Sequence, residues 1–152
     1  MLSAQSISKA IRESEISITG LSPSDVQYPY FELRFSNDFY IYEKNIEVDI
    51  RRKYPQNIIK LETAPDNSIL LPPGMFILNK SQETVSLSEN FFGLITTRGS
   101  LAQFGLQIHL SSLHIDPGTN STITFEIKNL GNNSIRIYPG EVAAKVYLFK
   151  VE

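Results

Sequence analysis

The chain contains no cysteine and no tryptophan among its 152 residues. Without a thiol it can form neither a disulfide nor a zinc–thiolate site, and it has no cysteine nucleophile. Acidic and basic side chains almost balance, with a formal net charge of −2. Overall charge therefore gives no argument for binding nucleic acid directly. A nucleotide pocket stays possible, since it needs only a local cluster of donors.

Long apolar runs are also missing from the sequence. No segment approaches the about 18 consecutive apolar residues of a membrane span. Residues 1–14 lack the basic start and the apolar stretch of a secretory signal. We therefore expect a cytoplasmic protein without a membrane partner. Its length fits a single domain, residues 1–152, that buries a substantial apolar core.

The pattern along the chain predicts one short helix and many strands. Residues 3–14 form the predicted helix, because Ile7, Ala10 and Ile11 recur on one helical face. Segments rich in β-branched and aromatic residues predict strands at 16–20, 31–35, 39–42, 75–78, 84–87, 92–96, 106–110, 122–128, 134–137 and 143–149. Residues 43–68 are polar and predict a loop excursion. The whole favours an all-β, distorted antiparallel jelly roll with a short N-terminal helix.

Two acidic residues are candidates for catalysis. Alternation along 122–128 places Glu126 on the polar face of a strand, with Thr122, Thr124 and Lys128. A carboxylate there can act as a general acid and base, although a solvated glutamate paired with a lysine is the commoner role. Asp116 precedes Pro117 and Gly118, where an aspartate usually stabilises a turn. The pattern alone leaves both roles open for each residue.

Cationic and histidine side chains supply further candidates. Arg98 stands before Gly99 and Ser100, so a guanidinium and free backbone N–H groups could bind phosphate together. An exposed turn arginine is the plainer alternative. His109 and His114 lack a recognised metal-ligand spacing, and we predict no metal site and a hydrogen-bonded strand histidine at 109. The basic run at 51–53 predicts a solvated loop.

Residues 97–149 resemble the dCTP deaminase and trimeric dUTPase superfamily. The family pattern is an Arg-Ser-Ser-Leu-Ala-Arg turn, an Ile-Asp-Pro-Gly turn and a Leu-Glu strand. This chain reads Arg-Gly-Ser-Leu-Ala-Gln at 98–103, Ile-Asp-Pro-Gly at 115–118 and Phe-Glu at 125–126. Weaker similarity includes Tyr-Phe-Glu-Leu-Arg at 30–34 and Pro-Gly-Met-Phe-Ile-Leu at 73–78. The resemblance spans most of the chain except residues 43–68.

The resemblance implies a homotrimer of jelly rolls with nucleotide sites between subunits. By position, Glu126 matches the acid that shuttles protons during deamination. Asp116 matches the acid that orients the water attacking the α-phosphate in dUTPases. Arg98 and Ser100 match the phosphate-binding turn, and the hairpin from Pro117 to Thr124 matches the segment that reads the pyrimidine. Mg²⁺ would accompany the triphosphate, and zinc is not used.

The sequence also departs from the family pattern. Gly99 replaces a serine, Gln103 replaces the second arginine of the turn, and Ser121 replaces a glycine. The sequence ends at Glu152, where the family continues into a tail that closes over the triphosphate, so we expect a less well closed site. Two functions follow: a dCTP deaminase or dUTPase, or a catalytically degenerate member that binds nucleotides for regulation or assembly.

Overall fold

The computed structural model describes residues 1–52 and 56–152, and strand is its main secondary structure. Strands account for 44% and helices for 11%, which confirms the all-β prediction. In chain order the elements are α1 (Ala4–Arg12), β1 (Ile16–Ile18), a single 3-10 turn (Pro23–Asp25), β2 (Phe31–Tyr42), β3 (Ile58–Lys60), β4 (Ile69–Leu71), β5 (Phe76–Leu87), β6 (Phe91–Thr97), α2 (Gly99–Gln103), β7 (Leu106–Gln107), β8 (His114–Ile115), β9 (Asn120–Asn129), β10 (Ile135–Ile137) and β11 (Val142–Lys150).

The N-terminal helix forms where its residue pattern predicts. The Ser3 hydroxyl oxygen accepts a hydrogen bond from the backbone N–H of Ser6 at 3.1 Å and caps the helix. Ile7 and Ala10 are buried, so one face of α1 packs on the core. No helix within 1–52 and 56–152 is long and apolar enough to cross a membrane.

Nine strands of the described residues form one curled antiparallel sheet, and the other two form a separate pair. Its order is β7-β9-β5-β2-β11-β6-β8, with β1 added beside β5 and β3 beside β2, while β4 and β10 pair separately. The inner faces enclose a core in which the Phe35 ring centroid lies 6.2 Å from that of Phe39 and 6.1 Å from that of Phe125. Side chains that alternate outward from β2, β11 and β6 form a second, half-exposed surface. We call this the outer face.

Several element boundaries differ from the sequence prediction. β2 merges the segments predicted at 31–35 and 39–42, and β5 merges those at 75–78 and 84–87. The strand predicted at 106–110 ends at Gln107, where the chain bends. β3, β4, β8 and α2 were not predicted, because each has only two to five residues and no full period of alternation. β3 lies within the predicted excursion.

The predicted basic loop is only partly described. Arg51 donates to the carboxylate of Asp49, with Nη2 2.8 Å from Oδ2, and both groups are near the surface. Lys53 lies outside the described residues. The Arg51–Asp49 pair agrees with a solvated loop and leaves no reason to assign a ligand to Arg51.

Candidate functional site

Glu126 lies on β9 with its carboxylate fixed by the main chain. Phe125 and Ile127 are buried while Glu126 is half-buried, as the predicted alternation requires. One carboxylate oxygen, Oε2, accepts a hydrogen bond from the backbone N–H of Leu110 at 3.1 Å. The N–H of Glu126 donates to the carbonyl of Ile108 at 2.8 Å. The segment 108–110 therefore holds the glutamate from both ends and leaves the other carboxylate oxygen for chemistry.

His109, in the middle of this segment, has an unusual environment. Only 8% of the residue is exposed, and Nδ1 is the one buried side-chain polar atom without a hydrogen-bond partner in the described residues. The prediction of a hydrogen-bonded strand histidine was therefore wrong. Burial lowers the pKa of His109, and the nearby Glu126 carboxylate acts in the opposite direction. The result is a neutral imidazole beside the candidate acid.

Arg98 follows the last residue of β6 and leads directly into α2. Its N–H donates to the carbonyl of Ala143 at 3.0 Å, which fixes the start of the turn. Its guanidinium lies 3.9 Å from the Glu141 carboxylate, and 40% of the side chain is exposed. Gly99 and Ser100 are exposed in the first turn of α2, where backbone N–H groups have no helical acceptor. The turn predicted at Arg98 is thus the start of the short helix α2, whose first backbone N–H groups remain available as hydrogen-bond donors.

The segments that carry Arg98 and Glu126 are joined by two hydrogen bonds that meet at Ile108. Thr97, the last residue of β6, accepts the N–H of Ile108 on its hydroxyl oxygen at 3.2 Å. Ile108 in turn accepts the N–H of Glu126. The phosphate-turn candidate and the acid candidate consequently belong to one connected backbone unit, although their side chains do not contact each other among the described residues.

Asp116 occupies the turn that its sequence predicts. Its carbonyl accepts the hydroxyl and the N–H of Thr119, at 2.7 and 3.2 Å. Gly118 has φ +74°, a conformation that favours glycine, and an added Cβ would lie 2.4 Å from the Glu89 carboxylate, which would have to move. The Asp116 side chain is 76% exposed and lies 3.4 Å from the Nε2 of His114. Within one chain it contacts neither Glu126 nor Arg98 in the described residues.

The three departures from the family pattern have different structural consequences. Ser121 pairs with Val85 in regular strand and is not among the described residues with positive φ, so the conformation there does not require glycine. Gln103 is exposed at the end of α2, and Gly99 has open space beside it. The two substrate-binding candidates of the hairpin differ in exposure: Pro117 is half-buried and Thr124 is exposed. Only the changes at 99 and 103 remove functional groups from the candidate site.

Sequence reasoning missed a cation on the outer face, Lys145. It pairs with Glu32 of β2 and Thr96 of β6, and its Nζ lies 4.1 Å from the centroid of the Tyr30 ring. Its interaction with Tyr30 raises the pKa of Lys145. The alternation of 143–149 could have placed it outward, but a single strand lysine is usually solvated and gave no signal.

A cleft of about 260 Å³ adjoins the outer face, between residues 18–28 and β2. Tyr28, Tyr30, Glu32 and Arg34 line it, and the pair Tyr28–Tyr30 is stacked at 5.3 Å. The candidate acids and Arg98 do not line this cleft.

In residues 1–52 and 56–152 no group of three or more histidines and carboxylates could hold a metal ion.

The fold is shared with nucleotide hydrolases of the dUTPase type. It superposes on the 2′-deoxycytidine 5′-triphosphate deaminase of Agrobacterium tumefaciens with a TM-score of 0.73 at 12% identity, over 99% of this chain and 46% of that chain. It superposes on the dUTPase of EIAV with a TM-score of 0.50 at 20% identity, over 80% of this chain and 86% of that one. At these identities the comparison shows the fold alone.

Sequence comparison defines the family. Residues 1–151 match the family model described as dCTP deaminase-like. Relatives include the dUMP-forming dCTP deaminases of Persephonella marina, 30% identical over 100% of this chain and 84% of that one, and of Tropheryma whipplei strain Twist, 29% identical over 99% and 78%. The chain belongs to the dCTP deaminase-like family, and the predicted resemblance is confirmed.

Proposed function

We propose that this protein converts dCTP to dUMP by two hydrolytic steps, deamination of the cytosine and release of diphosphate. The observation that carries the proposal is the backbone unit in which Thr97 and Ile108 connect the turn of Arg98 to Glu126. It fixes the candidate phosphate-binding turn relative to a half-buried carboxylate. The names of the relatives support the same pair of reactions.

Glu126 is the proposed proton shuttle of deamination. Its free carboxylate oxygen takes a proton as water bonds to C4 of the cytosine, and the proton passes on to the departing ammonia as the C4–N bond breaks. The Leu110 N–H holds the other oxygen, so the proton-accepting oxygen keeps a fixed direction. Neutral His109 adds no positive charge that would clamp the carboxylate in an ion pair.

Asp116 is the proposed acid for diphosphate release. It would orient a water that bonds to the α-phosphorus, while the bond from that phosphorus to the bridging oxygen breaks and diphosphate leaves. Its high exposure fits a group that meets its substrate at a surface. Because Asp116 lies apart from Arg98 within one chain, this role requires a substrate held between two subunits.

Substrate binding is assigned to the remaining residues of the predicted site. Arg98, Gly99 and Ser100 would bind phosphate oxygens, with Gln103 at the edge of the turn, while the hairpin from Pro117 to Thr124 would read the pyrimidine. Mg²⁺ would enter as part of the substrate. A triphosphate-bound Mg²⁺ needs only one or two protein carboxylates, and Glu32 and Glu141 lie near Lys145 and Arg98.

A homotrimer in the cytoplasm completes the proposal. Leu110 and Leu113 are large apolar side chains, 44% and 43% exposed, that flank the segment holding Glu126. Burial of such side chains against a second copy would remove apolar surface from water and close the site. Within one chain the candidate acids and Arg98 remain apart, which is consistent with a site assembled from several subunits.

Product analysis tests the proposed function. The purified protein is incubated with dCTP and Mg²⁺, and the nucleotides are separated by chromatography. We expect dUMP from the wild type and accumulated dUTP from Asp116→Asn, because the second step alone would lose its acid. Unchanged dCTP with a folded wild-type protein would contradict the proposal. It would also favour the regulatory alternative, which the comparisons do not support.

A further inference from the structure

We infer that Lys145 is the second cation of the phosphate site, where it binds the terminal phosphates of a nucleoside triphosphate and supplies the charge that Gln103 lacks. The inference deepens the proposed function and rests on it. It assigns a specificity role, the distinction between a triphosphate and a monophosphate, to a residue on the outer face.

The register of the sheet places Lys145 beside Arg98. Lys145 lies directly opposite Thr96, and Arg98 follows Thr96 by two positions, one residue past the end of β6. The Arg98 N–H donates to the carbonyl of Ala143, two positions before Lys145, which keeps the backbone of Arg98 bonded to the start of β11. The two cationic residues are therefore close neighbours at the end of β6, on the scale of the roughly 7–8 Å that separates diagonal positions of a strand pair.

The neighbours of Lys145 hold its ammonium group in place. Nζ lies over the Tyr30 ring, and this ring also packs against Tyr147 with centroids 5.6 Å apart. An ammonium on an aromatic face is favoured by the ring quadrupole and loses part of its rotational freedom before a ligand arrives. Glu32, opposite on β2, balances the charge until an anion replaces it.

Each acid on this surface stands beside one of the two cations. Glu141 lies 3.9 Å from Arg98 and is well exposed, while Glu32 pairs across the sheet with Lys145. A polyphosphate chain could thus meet two cations in succession, with the carboxylates available to its Mg²⁺. The turn itself offers only one cation, because position 103 carries an uncharged amide.

Calorimetry with ligands of decreasing charge tests the assignment. The parent is the full chain with Glu126→Gln, which prevents deamination during the titration, and the ligands are dCTP, dCMP and deoxycytidine with Mg²⁺. We expect Lys145→Met to weaken dCTP binding by about tenfold or more, the scale of one charge-assisted hydrogen bond. Deoxycytidine binding should not change. Lys145→Arg should retain most of the dCTP affinity, and the decrease of affinity with salt should become shallower in Lys145→Met.

Two further variants keep the test decisive. Lys150→Met removes the same charge from the exposed end of the same strand and should leave dCTP binding unchanged. Lys145→Gln repeats the charge loss with a polar side chain if the methionine variant does not fold. Equal dCTP affinities of the parent and of its Lys145→Met variant would overturn the assignment to Lys145 and leave the proposed function unaffected. A folded parent that binds no nucleotide would overturn the proposed function as well.

Discussion

At the scale of single residues, the main chain rather than another side chain orients the candidate acid. The backbone of 108–110 holds Glu126 through one donor and one acceptor, and buried His109 anchors this short segment. The geometry is thus independent of the charge on neighbouring side chains. A glutamine can make the same two contacts, which allows chemistry and structure to be separated by substitution.

Glu126→Gln should abolish turnover while leaving the fold intact. The amide oxygen can still accept the Leu110 N–H, but the amide cannot carry a proton between water and ammonia. We expect dCTP turnover to fall by about 10²–10⁴-fold, the usual contribution of a general acid–base group, with little change in Tm. Glu62→Gln, an exposed residue outside the site, is the control. Undiminished turnover in Glu126→Gln would show that Glu126 is only a strand acid.

His109 should make stability sensitive to mild acid. Its folded-state pKa is lowered from 6.5 by burial. As pH falls below about 6.5 the unfolded state takes up the proton first, so unfolding becomes easier. Above that pH the contribution is constant. The stability that comes from the neutral, buried imidazole is therefore lost progressively between about 6.5 and the lowered folded pKa.

Thermal unfolding at two pH values measures this effect. The fall in Tm between about pH 7.5 and about pH 5.5 should be smaller in His109→Gln than in the wild type, since glutamine does not titrate. His114→Gln is the matched control, because it removes the other histidine of the chain and keeps His109. An unchanged pH dependence in His109→Gln would refute the assignment to His109.

At the scale of elements, β2 remains one strand because Asn79 satisfies the backbone where its pairing with β5 is interrupted. The register shifts between Phe35 and Phe39. The fully buried Asn79 amide donates to the carbonyls of Ser36 and Asp38, at 3.2 and 2.8 Å, and its oxygen accepts the Ser36 N–H at 3.3 Å. One side chain thereby replaces the missing ladder hydrogen bonds.

Asn79→Ala should be among the most damaging substitutions in the sheet. It leaves three partly buried backbone groups of Ser36 and Asp38 without the Asn79 side chain, so we expect a loss of about 2–4 kcal/mol in the free energy of unfolding. Denaturant titration would show a lower midpoint with an unchanged slope. Asn120→Ala, an exposed asparagine on β9, should change stability by less than about 0.5 kcal/mol. Equal effects of the two substitutions would contradict the bridging role of Asn79.

Local pattern predicted the elements in which alternation runs over a full strand. It identified the polar face that carries Glu126 and the helix that carries Ile7, because both depend on period alone. It could not predict that β2 continues past its register shift, since Asn79 is far away in sequence. The environment of His109 was predicted wrongly and Lys145 was missed for the same reason: their surroundings come from β9 and from Tyr30, which only the fold brings near.

At the scale of the whole molecule, the arrangement of the candidate residues predicts a site shared between copies. Each of the three candidate residues has a different neighbour: Glu126 lies near His109, Asp116 near His114 and Arg98 near Glu141. Among the described residues, no side chain joins one of the three candidates to another. Under the proposed homotrimer, light scattering should show three chains per particle at micromolar concentration. A monomer would contradict the trimer.

Mixing two variants that are impaired in dUMP formation tests the shared site directly. Asp116→Asn and Arg98→Ala are unfolded together and refolded, so that mixed trimers form. If one site takes Asp116 from one subunit and Arg98 from its neighbour, some sites in each mixed trimer contain both native residues and dUMP formation returns. Mixed trimers verified by mass spectrometry that form no dUMP would place both residues in the site of a single chain.

Isotope labelling of the product tests the central claim, that two waters attack one nucleotide at two atoms. The wild-type protein is incubated with dCTP and Mg²⁺ in ¹⁸O-water, and the product is analysed by tandem mass spectrometry. The account predicts dUMP with one ¹⁸O on C4 of the base and one on the α-phosphate. Label on the base alone would leave a deaminase without diphosphate release, and recovery of unlabelled dCTP from the folded protein would contradict the account.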